Sequence, residues 1–310
     1  FLFRTVLYFI RLSFFFFVLF LLIQCDEKST DNVNAVPEKS SDSLKILEEK
    51  KKEEISISYH PEIINHQDSA LAEFQNKYSE EEIHAILAIN RLDFKNRWRA
   101  DTLVVPDKIV KDFNAYSPFP KYVSEAKNIN KLALFSYPIH AYALYENGNL
   151  IKWGPTSMGN KSSPTKIGLG FTNWKKKIAI STSNSEWKLR WNFNVFNFQG
   201  IGWHQYDLPG YHASHSCMRL LEEDAEWMYT WGEQWILDEK GTKVIAKGTP
   251  VIIFGEPNFK TKPWKDLLKS SKANDYSEAQ INNEIKPFLE EIIKQQDIRK
   301  DYLQSKRDSL

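Results

Sequence analysis

The sequence predicts a mainly β, α+β protein: a β-sandwich-like domain, a small helical module before it and a helix after it. Three observations carry this. Between Lys131 and Phe254, short β-rich runs recur, separated by Gly, Asn and Pro turns. Upstream, Ser79 and Glu82 form a capping-box pattern ahead of Ile83, Ile86, Leu87 and Asn90 at helical spacing. Beyond Pro257, Ile285, Phe288, Leu289, Ile292 and Ile293 make one apolar helical face, preceded by a second capping pair, Ser277 and Gln280.

The elements follow in order. Arg4 and Arg11 precede an unbroken apolar run, Phe14 to Ile23, which stops at Gln24-Cys25. The run falls short of the roughly 20 residues that span a membrane. A basic flank, a short apolar core and a processing stop read as a secretory signal over residues 1–24. Leu21-Leu22-Ile23-Gln24-Cys25 resembles a bacterial lipobox, which implies a lipid on Cys25 and membrane attachment through it. An uncleaved anchor helix is the alternative. Residues 25–57 mix Asp, Glu, Lys and Ser with few large apolar side chains, so they read as a tether, with a short helix around Leu44 to Glu54.

Residues 58–118 form the small module. Its helix runs on from Ile83, and Asp101 to Pro106 is a short strand stopped by proline. The stretch Ile86 to Pro106 resembles the second half of a lysin motif, which implies peptidoglycan binding; the opening strand of that motif is not evident. A packing element that binds nothing is the alternative.

Residues 119–256 hold the strands. Leu132–Phe135 and Ala141–Tyr145 are β-rich, Glu146-Asn147-Gly148-Asn149 is a hairpin turn, and Leu150–Trp153 completes the hairpin. Ile178–Ile180, Trp191–Val195, Gly200–Trp203 and Val251–Phe254 are further short strands. A helix from Glu222 to Gly232 begins with acidic residues, as a helix N-terminus favours. Residues 257–310 read as one long amphipathic helix packed on this domain or on a neighbouring molecule, with no chemistry of its own.

Lys and Arg total 41 and Asp and Glu 40, so no basic excess points to nucleic acid. If Cys25 is acylated, Cys217 has no partner in the chain, and an exported protein with one unpaired thiol is read as carrying a reactive group. Cys217 lies in Ser214-His215-Ser216-Cys217-Met218-Arg219-Leu220. Cationic and basic neighbours lower the cost of forming a thiolate, so this segment suits covalent acyl transfer. His204, His212 and His215 are all candidate general bases, because a thiol needs only one well-placed imidazole. The same three histidines with Cys217 could supply zinc ligands, but their spacing fits no common zinc module and a bound metal would mask the thiolate. No metal and no organic cofactor is expected.

The segment Ser214–Leu220 resembles the [Ser/Thr]-His-Gly-Cys-x-Arg-Leu signature of the L,D-transpeptidase (YkuD-type) catalytic domain. Ser163-Pro164-Thr165-Lys166-Ile167-Gly168 resembles its Pro-Thr-x-x-Gly turn, and Ile201-Gly202-Trp203-His204 its strand with the upstream histidine. The resemblance covers about residues 130–256. It implies that Cys217 is the nucleophile, His204 the general base, and a backbone carbonyl near Gln205 the third member. It implies that Ser214 and His215 shape the turn, that backbone N–H groups around Ser216 and Cys217 form an oxyanion hole, and that Arg219 organises the site or binds a substrate carboxylate. His212 is the substitute base. Two positions depart from the family: Ser216 and Gln205 stand where it has glycine, so either the turn avoids positive φ or the pocket is reshaped.

The implied reaction is attack of Cys217 on peptidoglycan stem peptides, with a diaminopimelate amine as acceptor, giving 3→3 cross-links and carbapenem sensitivity. Water, a protein lysine or an existing cross-link as the second substrate gives a carboxypeptidase, an anchoring enzyme or an endopeptidase. A silent peptidoglycan-binding lipoprotein is the reading from another class. The implied compartment is the periplasm and cell envelope. Of the aromatics Trp187, Trp191, Phe193, Phe196, Phe198, Trp203 and Tyr206, most are expected in the core and one or two at a ligand cleft.

Overall fold

The computed structural model describes residues 57–181 and 184–309. The expected secretory signal, Cys25 and the expected tether lie outside the described residues, apart from the tether's last residue. Among the described residues, no helix is long and apolar enough to cross a membrane.

Strand β1 (Tyr59–Ile63), helices α1 (Asp68–Lys77) and α2 (Glu80–Ile89), and strand β2 (Thr102–Pro106) come first. β1 runs antiparallel to β2, with Tyr59 opposite Pro106 and Ile63 opposite Thr102. A strand that the sequence did not reveal, β1, thus precedes the two helices. Pro61 and Glu62 break any apolar alternation there, and proline is tolerated because β1 is an edge strand. Helix α2 starts at the expected capping box: Ser79 accepts from the Glu82 N–H, and Glu82 accepts from the Ser79 N–H. This βααβ unit has its own apolar cluster, including Ile64, Leu71, Phe74, Ile86, Leu103 and Val105.

The strand-rich region follows: β3 (Leu132–Ser136), β4 (Ala141–Glu146), β5 (Asn149–Pro155), β6 (Gly168–Phe171), β7 (Lys175–Ile180), β8 (Lys188–Phe196), β9 (Ile201–Gln205), β10 (Met218–Leu220), helix α3 (Glu222–Trp231), then β11 (Ile236–Leu237), β12 (Val244–Ala246) and β13 (Pro250–Phe254). One sheet has the order β5-β4-β3-β13-β6 and a second the order β10-β9-β8-β7. Asn147 and Gly148, both at positive φ, make the β4–β5 turn, as a two-residue hairpin loop requires.

The core explains the sequence pattern. Phe135, Tyr142, Leu144, Val251 and Ile253 of the first sheet meet Phe193, Val195, Trp203, Met218 and Leu220 of the second, with Ala225 and Met228 of α3. On the first sheet's other face, Leu134, Ala143, Ile252 and Phe254 pack with Ala85 and Ile89 of α2 and with Trp264, Ile281, Ile285 and Ile292 from the C-terminal region. A sheet covered on both faces reads as continuous apolar runs rather than alternation, as in Leu132–Phe135.

The C-terminal region differs from the expected single helix. α4 (Glu278–Ile285) and α5 (Leu289–Asp308) are separated by a 3₁₀ turn, Lys286–Phe288. Pro287 has no N–H to continue the α ladder. The apolar face is kept across the break, with Ile281, Ile285 and Ile292 buried on the sheet.

Arg91 joins these parts. It is buried at φ 60° and its guanidinium donates to the carbonyls of Ile139 (2.9 Å), Ala88 (3.2 Å) and Ile89 (2.7 Å). Trp153 and Trp264 flank it at 5.6 and 5.7 Å. Burial lowers its pKa to about 9.

Candidate active site

The second sheet sorts its side chains by alternation. β10 lies parallel to β9, with Met218 opposite Trp203 and Arg219 opposite His204. Trp203, Met218 and Leu220 therefore enter the core, while His204, Arg219 and Cys217 share the other face. Cys217, His204, Ser214, His215 and Arg219 line one pocket of about 100 Å³ with Asn192, Asn194, Gly200, Trp187 and Tyr206.

Cys217 is half-buried, with Sγ 3.8 Å from the Gly200 carbonyl. Burial pushes its thiol pKa up, against a backbone hydrogen bond from Gly202 and the charge of Arg219, both of which lower it. The cationic neighbour expected to favour the thiolate is present, but burial outweighs it. The resting thiol thus keeps its proton and needs a base to remove it.

His204 can be that base. Its Nδ1 is 2.9 Å from the Gln205 carbonyl. A carbonyl only accepts, so Nδ1 carries the hydrogen and Nε2 keeps its lone pair. Burial lowers the His204 pKa to about 4; the Gln205 bond opposes this and Arg219 adds to it. At neutral pH the ring is an uncharged acceptor.

His212 is differently committed. Met158 N–H donates to its Nδ1 (3.0 Å) and its Nε2 donates to the Tyr137 carbonyl (2.9 Å). Neither nitrogen is left for a thiol. The ring stacks on His140 at 3.6 Å, so His212 holds the loop before Cys217 to the first sheet. His215 is exposed at the pocket, with its ring 5.0 Å from Trp187. His212 is thus unavailable to the set considered for zinc, although the other three share the pocket, and among the described residues no group of three or more His, Cys, Asp or Glu could hold a metal.

The loop that carries Cys217 is fixed mainly by backbone. Ser214 donates to Met158 O (3.0 Å) and accepts from Asn160 N–H (2.9 Å); Arg219 N–H donates to Ser157 O (2.9 Å). The Arg219 guanidinium donates to the carbonyls of Ala213 (3.0 Å) and Asp207 (3.3 Å) and lies 4.5 Å over the Tyr206 ring. It ties the loop from both ends. Gly159 sits beneath, where a Cβ would collide with the backbone of Ser163 and Thr165.

Ser216 is at φ 78°, so the turn keeps the left-handed backbone that favours glycine despite the serine. Its hydroxyl donates to the Ser163 carbonyl (3.2 Å), which links the Cys217 loop to the Pro164-Thr165 turn.

Sequence reasoning left Asn192, Asn194 and Tyr206 unassigned, although they line this pocket. Alternation along β8 could have placed the two asparagines opposite the core-bound Phe193. Of the aromatics, Phe193 and Trp203 are fully buried, Trp187 and Tyr206 line the pocket, and Phe198 is 98% exposed.

No curated protein matches the chain. Solved structures are similar over part of it. An L,D-transpeptidase (Yku) from Stackebrandtia nassauensis is 20% identical with a TM-score of 0.34, over 42% of this chain and 58% of that one. Mycobacterium tuberculosis L,D-transpeptidase 1 is 21% identical with a TM-score of 0.31, over 41% and 63%. An L,D-transpeptidase from Mycobacterium smegmatis is 21% identical with a TM-score of 0.32, over 41% and 59%. The chain thus spans less than two thirds of the length of each. Residues 132–253, which contain Cys217 and His204, match the family model of the L,D-transpeptidase catalytic domain (YkuD).

Proposed function

We infer that the protein is a cysteine-dependent L,D-transpeptidase acting on peptidoglycan stem peptides. The observation that carries this reading is the pairing of a protonated thiol with a neutral imidazole in one pocket. Cys217 and His204 share a sheet face, and the Gln205 carbonyl fixes the tautomer that leaves Nε2 basic. The family match over residues 132–253 supplies the substrate class.

Nε2 of His204 takes the Cys217 proton as Sγ attacks the carbonyl of the third stem residue, a diaminopimelate. The oxyanion is stabilised by the N–H groups of Ser216 and Cys217. Collapse breaks the peptide bond, and His204 returns the proton to the departing D-alanine amine. The thioester then accepts an amine from a second stem, His204 takes that amine's proton, and Cys217 leaves as the thiol. The product is a 3→3 cross-link. Ser214 shapes the turn through its bonds to Met158 and Asn160, His215 lines the pocket, and Arg219 acts through the loop it ties. The chemistry itself needs no metal or cofactor.

The remaining assignments complete this reading. Residues 1–24 are a secretory signal and 25–57 a tether that a lipid on Cys25 holds to the membrane at the cell envelope. The βααβ unit within 58–118 is a lysin-motif-like module that grips the wall, 119–256 is the catalytic domain, and 257–310 is a helical extension. An unmodified Cys25 thiol in protein extracted from membranes removes the anchor.

Intact-protein mass spectrometry after mixing with a tetrapeptide stem tests the activity. The expected result is a covalent tripeptide adduct on the wild type, absent from Cys217→Ala. No adduct on the wild type replaces the enzyme with a silent peptidoglycan-binding protein.

A further inference from the structure

We propose that Asn192 is a substrate-binding residue whose carboxamide holds a backbone amide of the donor peptide beside Cys217. The proposal rests on the acyl-transfer reading above and adds a recognition element to it.

The argument begins with a break in register. Arg190 of β8 lies opposite Gln205 of β9, and Phe193 lies opposite Trp203. Trp191 and Asn192 together therefore face the single residue His204. Trp191 takes φ 53°, a conformation uncommon for a bulky side chain. A bulge of this kind re-aims the side chains next to it. Beyond it, Phe193 points into the core, while Asn192 and Asn194 line the pocket with His204 and Cys217.

The two asparagines then differ. The Asn194 Oδ1 accepts from Asn173 Nδ2 at 2.9 Å, so its carboxamide is part of the scaffold. Asn192 is 5% exposed and its Nδ2 is buried with no hydrogen-bond partner. A buried amide without a partner is costly, and a strand position of this kind accommodates an apolar side chain at less expense. Such a group in a folded protein calls for an explanation. Here the pocket that holds the nucleophile provides one.

The chemistry of the group selects its ligand. A carboxamide offers one acceptor and two donors and carries no charge. Its complement is a peptide group, which presents a carbonyl and an N–H. The terminal torsion of asparagine is broad and two-fold, so turning the carboxamide over presents Nδ2 to the pocket. Asn192 next to His204 would thus fix the peptide along β8 while its neighbouring carbonyl meets Sγ.

The test uses the full chain with Asn192→Leu, which is similar in size and apolar, and Asn192→Asp, which keeps the shape but loses the donor. Acylation by a tetrapeptide stem is followed by mass spectrometry, together with thermal unfolding and the rate of Cys217 alkylation by iodoacetamide. In both variants kcat/KM for acylation is expected to fall by roughly 10–100-fold, mostly through KM. In the Leu variant, alkylation is expected at the wild-type rate and unfolding at or above the wild-type temperature. Wild-type acylation in both variants overturns the proposal and leaves the enzyme reading intact. Equal losses in acylation and alkylation with a lowered unfolding temperature also overturn it, making Asn192 structural. A wild type that forms no stem adduct overturns the enzyme reading, and this proposal with it.

Discussion

At the scale of single residues, the site works by environment. Burial holds His204 uncharged and Cys217 protonated, so the proposed base and nucleophile rest as neutral groups rather than as an ion pair. Attack needs His204 neutral, and its pKa lies at about 4 instead of near 6.5. The acid limb of kcat/KM is therefore expected nearer pH 4 than pH 6.5, measured as the pH dependence of stem acylation. His204→Gln removes the base and is expected to slow acylation by about 10²–10⁴-fold. Ser216 sets a second test. Its left-handed backbone costs about 1–2 kcal/mol relative to an ordinary conformation, and its bond to the Ser163 carbonyl offsets part of this. Ser216→Gly is expected to change stability by less than about 1 kcal/mol, since relief of strain opposes loss of that bond. Ser216→Val is expected to cost about 2–3 kcal/mol in urea unfolding, because a β-branched residue tolerates that φ poorly.

Between elements, Arg91 is the clearest coupling. It reaches three carbonyls around α2 and the β3–β4 connection while filling the space between Trp153 and Trp264. A lysine has neither the planar fork nor the flat stacking face. Arg91→Lys is expected to destabilise the protein by about 2–3 kcal/mol in chemical unfolding, since buried carbonyls lose their donors. The pairing of β10 with β9 is the corresponding coupling inside the site. One residue of register shift would send Cys217 and Arg219 to the face occupied by Met218.

For the whole molecule, the buried imidazoles make folding depend on acid. His204 and His212 both have pKa values lowered to about 4, chiefly by burial. Below 6.5 the unfolded chain binds protons that the folded rings refuse until about 4. Stability is therefore full above 6.5 and is lost as pH falls toward 4, by about 3 kcal/mol per ring from shifts of this size. Urea midpoints at pH 7.5, 5.5 and 4.5 are expected to fall in that order. The C-terminal region matters at the same scale. It covers Leu134, Ala143, Ile252 and Phe254 on the outer face of the first sheet. Deletion of residues 257–310 is expected to give insoluble protein, read as the soluble fraction after expression.

Much of this was legible in the sequence, for local reasons. Capping boxes at Ser79 and Ser277, the Asn147-Gly148 turn and the runs at 132–135 and 141–145 specify their elements through neighbours a few residues away. The signature around Cys217 likewise marked the candidate site by its residue types. The rest depended on distant partners. β1 exists because β2 pairs with it, across the 38 residues between Ile63 and Thr102. The break at Pro287 leaves the apolar spacing intact, so periodicity alone did not reveal it. Choosing between His204 and His212 required knowing which carbonyls and N–H groups each ring meets: His212 meets Met158 and Tyr137, far away in the chain, whereas His204 meets only the carbonyl of its own neighbour, Gln205. The sequence by itself determined a mainly β domain in which Cys217 sits among imidazoles. Only the tertiary structure decided which imidazole keeps a free lone pair, that Ser216 holds a left-handed turn, and that Asn192 faces the thiol's pocket, because hydrogen-bond partners and burial are set by packing between strands far apart in the chain.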